Sequence, residues 1–454
     1  MTFSTEEEYE AAVSNAASSA MQTQWRNKCI DSTYEPGSTF KPITLASALE
    51  EGVINMNSTF NCTGSVQVGK WTIHCSKKGG HGHQTLEQAV GNSCNPAFIN
   101  IGQRLGGETF YEYMRAFGLT EPTGVDMIGE AKGIISKSSL VNDAASLASY
   151  AFGQTFNVTP LELIRAQAAC VNGGYLYTPY IVEQVLDDDG NVLSQHDSTP
   201  IRQVVSAETS AKVRQCLEYV VASGTGRNGQ VAGYRIGGKT GTADKTATRN
   251  TTKEVVVSFM CFAPADDPQY LMLLTMDTPS RSTGVYVSGG NMVAPTASSI
   301  MADILPVLGV EPDYTAEDLA GMDAAVPNVV GKTAADAKSI LESAGFSCRT
   351  VGDGETVTDQ TPAGGAIVPN NATVVLYLGV EKNNTPRVMP NVVGRTASEA
   401  NKVLADAGLI MKVSGATTAS AGNVRAISQS VAEGTELEAG TVVTIQFGDS
   451  SVLD

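Results

Sequence analysis

The chain has no window approaching the roughly 18 uninterrupted apolar residues of a membrane-spanning helix, and no signal peptide follows Met1. Basic residues are in deficit: 30 Lys and Arg face 47 Asp and Glu, a formal net charge of −17. Phosphate binding needs a basic face, so nucleic acid is not an expected partner, and solubility alone accounts for the acidity. There are four histidines and eight cysteines, Cys29, Cys62, Cys75, Cys94, Cys170, Cys216, Cys261 and Cys348, with no Cys-x-x-Cys and no zinc-finger spacing. His81-Gly82-His83 could ligate a metal, but no carboxylate or cysteine follows at a ligand spacing. No metal and no organic cofactor is expected. The 454 residues are too many for one core and imply two to four domains.

The stretch Tyr34-Glu35-Pro36-Gly37-Ser38-Thr39-Phe40-Lys41 carries chemistry. Residues three apart share a helix face, so the Ser38 hydroxyl and the Lys41 amine can meet. Serine is a weak nucleophile until a base takes its proton, and a desolvated lysine can be that base. Pro42 is tolerated only in a first turn, so the helix must begin at or near Ser38; it runs to about Glu51 and stops at Gly52. By itself a Ser-x-x-Lys run is cheap and describes many exposed helix starts. Two later runs change its weight: Ser93-Cys94-Asn95, followed by Pro-Ala-Phe, and Lys239-Thr240-Gly241-Thr242-Ala243, preceded by Gly237-Gly238.

In this order and with these flanks, the three runs resemble the transpeptidase domain of class B penicillin-binding proteins over about residues 25–310. The resemblance implies an α+β fold shared with serine β-lactamases, a central antiparallel sheet with helices on both sides. It implies Ser38 as nucleophile, Lys41 as base, Ser93 as proton relay and Asn95 as a hydrogen-bonding partner of the substrate amide. Lys239, Thr240 and Thr242 would receive the substrate's terminal carboxylate. Gly237, Gly238 and Gly241 would keep one side of their strand open to a substrate strand. The backbone N–H groups of Ser38 and Thr242 would form the oxyanion hole. Such enzymes carry a membrane anchor and a pedestal before this point, so the chain reads as a soluble piece of an anchored, extracytoplasmic protein.

Along the chain, residues 1–24 read as a polar helix. Cys62 and Cys75 bracket an alternating, glycine-containing run that reads as a hairpin; its ends would lie close enough for a disulfide, two free thiols being the alternative. The other cysteines read as small buried residues. Residues 84–90 suggest a short helix delivering Ser93 and Asn95 on a loop. Residues 97–117 suggest one helix stopped by Gly118, and Thr159-Pro160-Leu161-Glu162 a capped helix start. A helix over 207–222, a strand over 234–243, two apolar strands at 254–263 and 270–277, both central, and a helix over 291–308 complete the domain.

The remainder repeats itself. Val326-Pro-Asn-Val-Val-Gly-Lys-Thr-Ala returns 63 residues later as Met389-Pro-Asn-Val-Val-Gly-Arg-Thr-Ala. Each copy continues into a helix and β-rich segments, which means tandem modules. They resemble PASTA domains, one helix on a three-stranded sheet. The division expected is 1–310 transpeptidase, 311–325 linker, 326–380 first PASTA, 381–388 linker and 389–448 second PASTA, with 309–325 and 449–454 mobile. The PASTA copies show no aromatic-and-arginine pocket, which leaves ligand binding and a spacer role both open.

The function implied is a D,D-transpeptidase acting on peptidoglycan stem peptides, acylated by β-lactam antibiotics and working with other cell-wall synthesis or divisome proteins. The rivals are a D,D-carboxypeptidase, a β-lactamase or β-lactam sensor, and a non-enzymatic peptidoglycan-binding protein. A class A β-lactamase would want Glu-x-x-Leu-Asn after the Ser-x-Asn run. The nearest imitation, Glu51-Gly-Val-Ile-Asn55, lies before it.

Overall fold

In the computed structural model, the Pro36-Gly37 turn enters a 3-10 helix, Gly37–Phe40, which passes directly into the α-helix Lys41–Glu50. Pro42 sits in the first α-turn, where its missing N–H costs nothing. The α-helix therefore starts three residues after Ser38, and Ser38 lies on the tighter turn, whose i and i+3 side chains eclipse. The structure describes residues 5–231, 234–248, 250–310, 323–369, 373–382, 386–415 and 424–449. The expected linkers and tail fall outside these at 311–322, 383–385 and 450–454.

The chain forms two units, one from residues 1–90, 94–216 and 241–256, the other from 91–93, 217–240 and 257–454. In the first, helix Lys41–Glu50 packs against Asn95–Leu105 and Pro160–Val171. Ile43, Leu45, Phe98, Ile101 and Leu163 are fully buried there. Phe40 anchors the start of the helix, edge-on to Phe156 at 4.8 Å. Helix Glu6–Trp25 forms as expected and buries no residue. The helix expected over 97–117 is two, Asn95–Leu105 and Gly107–Ala116, because Gly106 takes φ 78° and breaks the ladder. The short helix before Ser93 is Leu86–Gly91, with Gln84 and Thr85 in the preceding strand.

Helix Pro160–Val171 begins in a full capping box: Thr159 Oγ1 accepts the Glu162 N–H at 3.1 Å, and Glu162 Oε2 accepts the Thr159 N–H at 2.8 Å. The other Glu162 oxygen accepts the Gly133 N–H at 2.9 Å. Burial outweighs these bonds and raises the Glu162 carboxyl above its ordinary range.

A three-stranded sheet has Val255–Ala263 in the middle, flanked by Gly237–Asp244 and Tyr270–Asp277. Of the two strands expected to be central, Tyr270–Asp277 is therefore an outer one among the described residues. Val255–Ala263 is buried at every position, which explains why it reads as a continuous apolar run. Helix Ala294–Val307 follows a π-turn at Gly289–Val293.

Each repeat holds one helix, Ala334–Ser343 or Ala397–Asp406, and a three-stranded sheet with one parallel and one antiparallel pair. A small two-stranded pair is added to each: Asp323–Ala325 with Ile367–Pro369, and Arg387–Val388 with Glu436–Leu437. These first strands lie in stretches read as linker. The repeated Pro-Asn-Val-Val-Gly-x-Thr run has the same physics twice. Asn328 and Asn391 accept the N–H two residues on, at 3.2 and 3.0 Å. Thr333 and Thr396 cap their helices, each accepting an N–H at 3.2 Å. The chain is α+β throughout.

Thr159→Ala removes a buried cap. It should lower the stability of its unit by about 1–2 kcal/mol, read as an earlier thermal transition by calorimetry, with Thr159→Ser restoring most of it.

Candidate active site

Within the first unit, Ser38 is partly exposed on the 3-10 turn and Lys41 is wholly buried at the start of the α-helix. Lys41 Nζ donates to Asn95 Oδ1 at 2.8 Å and lies 5.1 Å from the centre of the Phe98 ring. Asn95 opens its own helix, and Phe98 follows one turn later on the same face. One helix thus supplies both a polar partner and an aromatic face to the lysine. Asn95 Nδ2 reaches the His74 carbonyl at 3.5 Å.

The turn carrying Ser38 is fixed from behind. Gly37 N–H donates to the Gly153 carbonyl at 2.8 Å, and Gln167 Nε2 donates to the Thr39 carbonyl at 2.7 Å. A Cβ on Gly153, which holds φ 88°, would fall 2.0 Å from the Gly37 oxygen. A Cβ on Gly37 would lie 3.2 Å from the Thr242 oxygen and 3.0 Å from the Ala243 Cβ. The Ser38 turn therefore lies against Thr242 and Ala243 of the same unit, and Thr242 is partly exposed. Glu35 joins the same parts: it accepts the Thr155 N–H at 3.2 Å and the Thr246 hydroxyl. Glu35, Gly153 and Gln167 are positioning residues that sequence reasoning missed. Glu35 stands within the quoted nucleophile run; Gly153 and Gln167 stand outside the runs that the sequence analysis singled out.

Within the second unit, Lys239 is wholly buried; its Nζ donates to Ser93 Oγ at 2.8 Å and to its own neighbour's carbonyl, Thr240 O, at 3.0 Å. Ser93 takes a left-handed φ of 50°, a conformation a non-glycine residue keeps only when its surroundings enforce it. Thr240 Oγ1 donates to Thr225 Oγ1 at 2.8 Å, both buried. Thr225 belongs to the Ser223-Gly224-Thr225-Gly226 run that follows the helix expected over 207–222. Gly241 is buried in the strand. The runs Ser93-Cys94-Asn95 and Thr240-Gly241-Thr242 each contribute residues to both clusters.

One expectation is corrected. The glycines before Lys239 do not serve an open strand face. A Cβ on Gly237 would lie 2.2 Å from the Phe262 ring, and one on Gly238 2.6 Å from the Met260 oxygen, so packing requires them. Of the two alternatives left open for Cys62 and Cys75, the structure has the free thiols. The hairpin forms, Ser65–Val68 with Trp71–His74, but both thiols are free. The Cys75 sulfur faces His81 Nδ1 at 3.5 Å and accepts the Cys94 thiol proton. That bond lowers the Cys75 thiol and, with burial, raises that of Cys94. Cys62, Cys75, His81 and Cys94 bring their ligand atoms within 4.8 Å of one another, a grouping that their intervals in the sequence did not suggest.

Such a geometry, a partly exposed serine one turn from a buried lysine held by an asparagine, is the arrangement of an acyl-serine site. The family described as penicillin binding protein transpeptidase domain matches residues 4–302, and the PASTA domain family matches 324–380 and 387–449. The chain belongs to the penicillin-binding protein transpeptidase family and carries PASTA domains. It is 42% identical to stage V sporulation protein D of Bacillus subtilis over 366 residues, 78% of this chain and 55% of that one. Penicillin-binding protein 3 of Mycobacterium tuberculosis, solved in complex with aztreonam, is 29% identical with a TM-score of 0.57, over 63% of this chain and 65% of that one. The D,D-transpeptidase domain of a peptidoglycan glycosyltransferase from Eggerthella lenta is 27% identical with a TM-score of 0.58, over 66% and 72%. The chain spans about half the length of the curated relatives it matches.

Thr225→Val keeps shape and removes the acceptor of the Thr240 hydroxyl. Stranding that buried group should cost about 1–3 kcal/mol, seen in chemical denaturation of the unit that holds it, while Thr225→Ser should stay close to the parent.

Proposed function

We propose that the chain is the catalytic part of a D,D-transpeptidase that cross-links peptidoglycan stem peptides. Ser38 attacks the carbonyl of the penultimate D-alanine, and Lys41 takes the hydroxyl proton. The tetrahedral oxyanion is received by the Ser38 and Thr242 N–H groups, each such donor being worth ~3 kcal/mol in the barrier. As the C–N bond breaks, the terminal D-alanine leaves with a proton relayed through Ser93. The amine of a second stem peptide then attacks the acyl-enzyme and restores Ser38. Asn95 orients both Lys41 and the substrate amide, while Lys239, Thr240 and Thr242 receive the terminal carboxylate.

The observation that carries this reading is the buried Lys41 amine, donating to Asn95 one turn from Ser38. The peptidoglycan D,D-transpeptidase names of the relatives support the reaction. β-Lactams are proposed to acylate Ser38. The Glu-x-x-Leu-Asn run with which a class A β-lactamase activates water does not follow the Ser-x-Asn run in the sequence, so the adduct should persist.

The proposed division is transpeptidase over 1–310 and PASTA modules over 326–380 and 389–448. The protein would act on the outer face of the cell membrane, held by an anchor and joined by other cell-wall synthesis or divisome proteins. Among the described residues no helix is long and apolar enough to cross a membrane.

Incubation with benzylpenicillin should add the mass of one antibiotic to the intact protein and none to Ser38→Ala; an unmodified wild type, or rapid return to its starting mass, would contradict the proposal. Gly153→Ala, by pushing on the Gly37 carbonyl, should displace the nucleophile and slow acylation on the order of 100-fold, measured by rapid-quench labelling of protein whose melting is checked in parallel.

A further inference from the structure

The serine–cysteine–asparagine run carries a cysteine between its two functional residues, and the acyl-transfer chemistry does not use it. Cys94 is fully buried, as are Cys62 and Cys75 nearly so, and His81 is partly exposed beside them. Three short pieces of chain bring the four together. Strand Thr59–Cys62 pairs with Gly82–Thr85 in a register that sets Cys62 opposite Gly82, so His81 comes just past it. The hairpin returns Cys75 to the same end, its N–H donating to the Gly64 carbonyl at 2.9 Å. The loop between Cys75 and His81 closes only because Gly64 and Gly80 lack side chains: a Cβ would fall 2.1 Å from the Lys78 oxygen at the first and 2.2 Å from the Cys62 oxygen at the second.

We propose that Cys62, Cys75, His81 and Cys94 bind one zinc-class divalent ion in a closed tetrahedral site that braces the Ser93-Cys94-Asn95 run. Three sulfurs and an imidazole are a zinc donor set, and four protein ligands leave no open position, which makes the site structural. A tetrahedron with Zn–S near 2.3 Å and Zn–N near 2.0–2.1 Å has an S···N edge of about 3.5 Å. The Cys75 Sγ to His81 Nδ1 separation is 3.5 Å, and all four ligand atoms lie within 4.8 Å of one another. The sulfurs also have outer hydrogen bonds of the kind thiolate ligands need: the Lys77 N–H donates to Cys75 and the Ala97 N–H to Cys94. A Cys62–Cys75 disulfide would use two of these sulfurs and leave a buried thiol and an imidazole converging on nothing. The ligands are separated by twelve, five and twelve residues, intervals unlike the short pairs of zinc fingers.

The brace reaches the candidate active site twice. Cys94 is covalently next to Asn95, the partner of Lys41, and to Ser93, whose left-handed backbone needs support. The His74 carbonyl, one residue before Cys75, accepts the Asn95 side-chain amide at 3.5 Å. The metal claim stands apart from the acyl-serine reading; the bracing claim rests on it.

The test uses the full chain, reduced with a phosphine, stripped with a chelator and titrated with cobalt(II). One cobalt per chain should bind, with the visible bands of tetrahedral cobalt and a thiolate-to-cobalt charge-transfer band, and zinc should displace it. Cys94→Ser and His81→Ala should each lose stoichiometric binding, while Cys29→Ser, at an exposed cysteine, should bind as the parent does. Should a ligand variant fail to fold, the wild-type spectrum decides alone. Absence of the tetrahedral bands in fully reduced wild type, or a Cys62–Cys75 disulfide that persists through reduction, overturns the site. Metal removal should also slow benzylpenicillin acylation of Ser38 at least about 10-fold; an unchanged rate in metal-free protein overturns the brace and leaves the site. Failure of the metal-loaded protein to acylate at all would count against the enzymatic reading and not against the ion.

Discussion

The hydrogen bond from Lys41 to Asn95 is the constraint on which the catalytic arrangement depends. An amine taken wholly out of water is costly unless it is bonded, and a lysine in that place cannot be left to find its own partner. The bond therefore sets the positions of two helix starts at once. Lys41 begins the helix that carries Ser38 on its preceding turn, and Asn95 begins the helix that presents Phe98. The rest of the first unit fixes those two starts: Phe40 locks into Phe156, Gln167 and Gly153 hold the Ser38 turn, and Glu35 ties it to Thr155 and Thr246. Lys239 plays a comparable part in the second unit, buried and bonded to Ser93.

What the sequence made legible was local. Ser38, Lys41, Ser93, Asn95 and Lys239 were readable because each sits in a run whose spacing is fixed by helix or strand geometry. The Thr159 cap and both repeat helices were readable because their signals act within four residues. The repeat was readable because the same short-range bonds recur in each copy. The helix break at Gly106 was missed although Gly106-Gly107 is a paired-glycine turn signal, because the apolar pattern on either side was read as one continuous helix. The Gly237-Gly238 pair was misread because its meaning lies in Phe262 and in the Met260 carbonyl, more than twenty residues away and visible only once strands are paired.

The cysteines show the same limit more sharply. Read by interval, Cys62 and Cys75 suggested a simple hairpin staple, and His81 had no ligand partner after it. The hairpin is there, but the strand pairing of Cys62 with Gly82 and the helix start at Cys94 add two further groups that no spacing rule anticipates. A site assembled by sheet register, on glycines that allow a close loop, leaves little trace in linear spacing. Its position beside Asn95 links a structural feature of the hairpin to the geometry of the buried lysine.

The central claim is that Asn95 holds Lys41 in the state and place of a base. The most direct measurement is the pH dependence of benzylpenicillin acylation in wild type and in Asn95→Asp, with melting monitored alongside. A carboxylate against the amine would keep its proton on, so the account predicts a loss on the order of 100- to 10,000-fold near neutral pH and partial recovery as pH rises. An Asn95→Asp protein that acylates at the wild-type rate with an unshifted profile would contradict it.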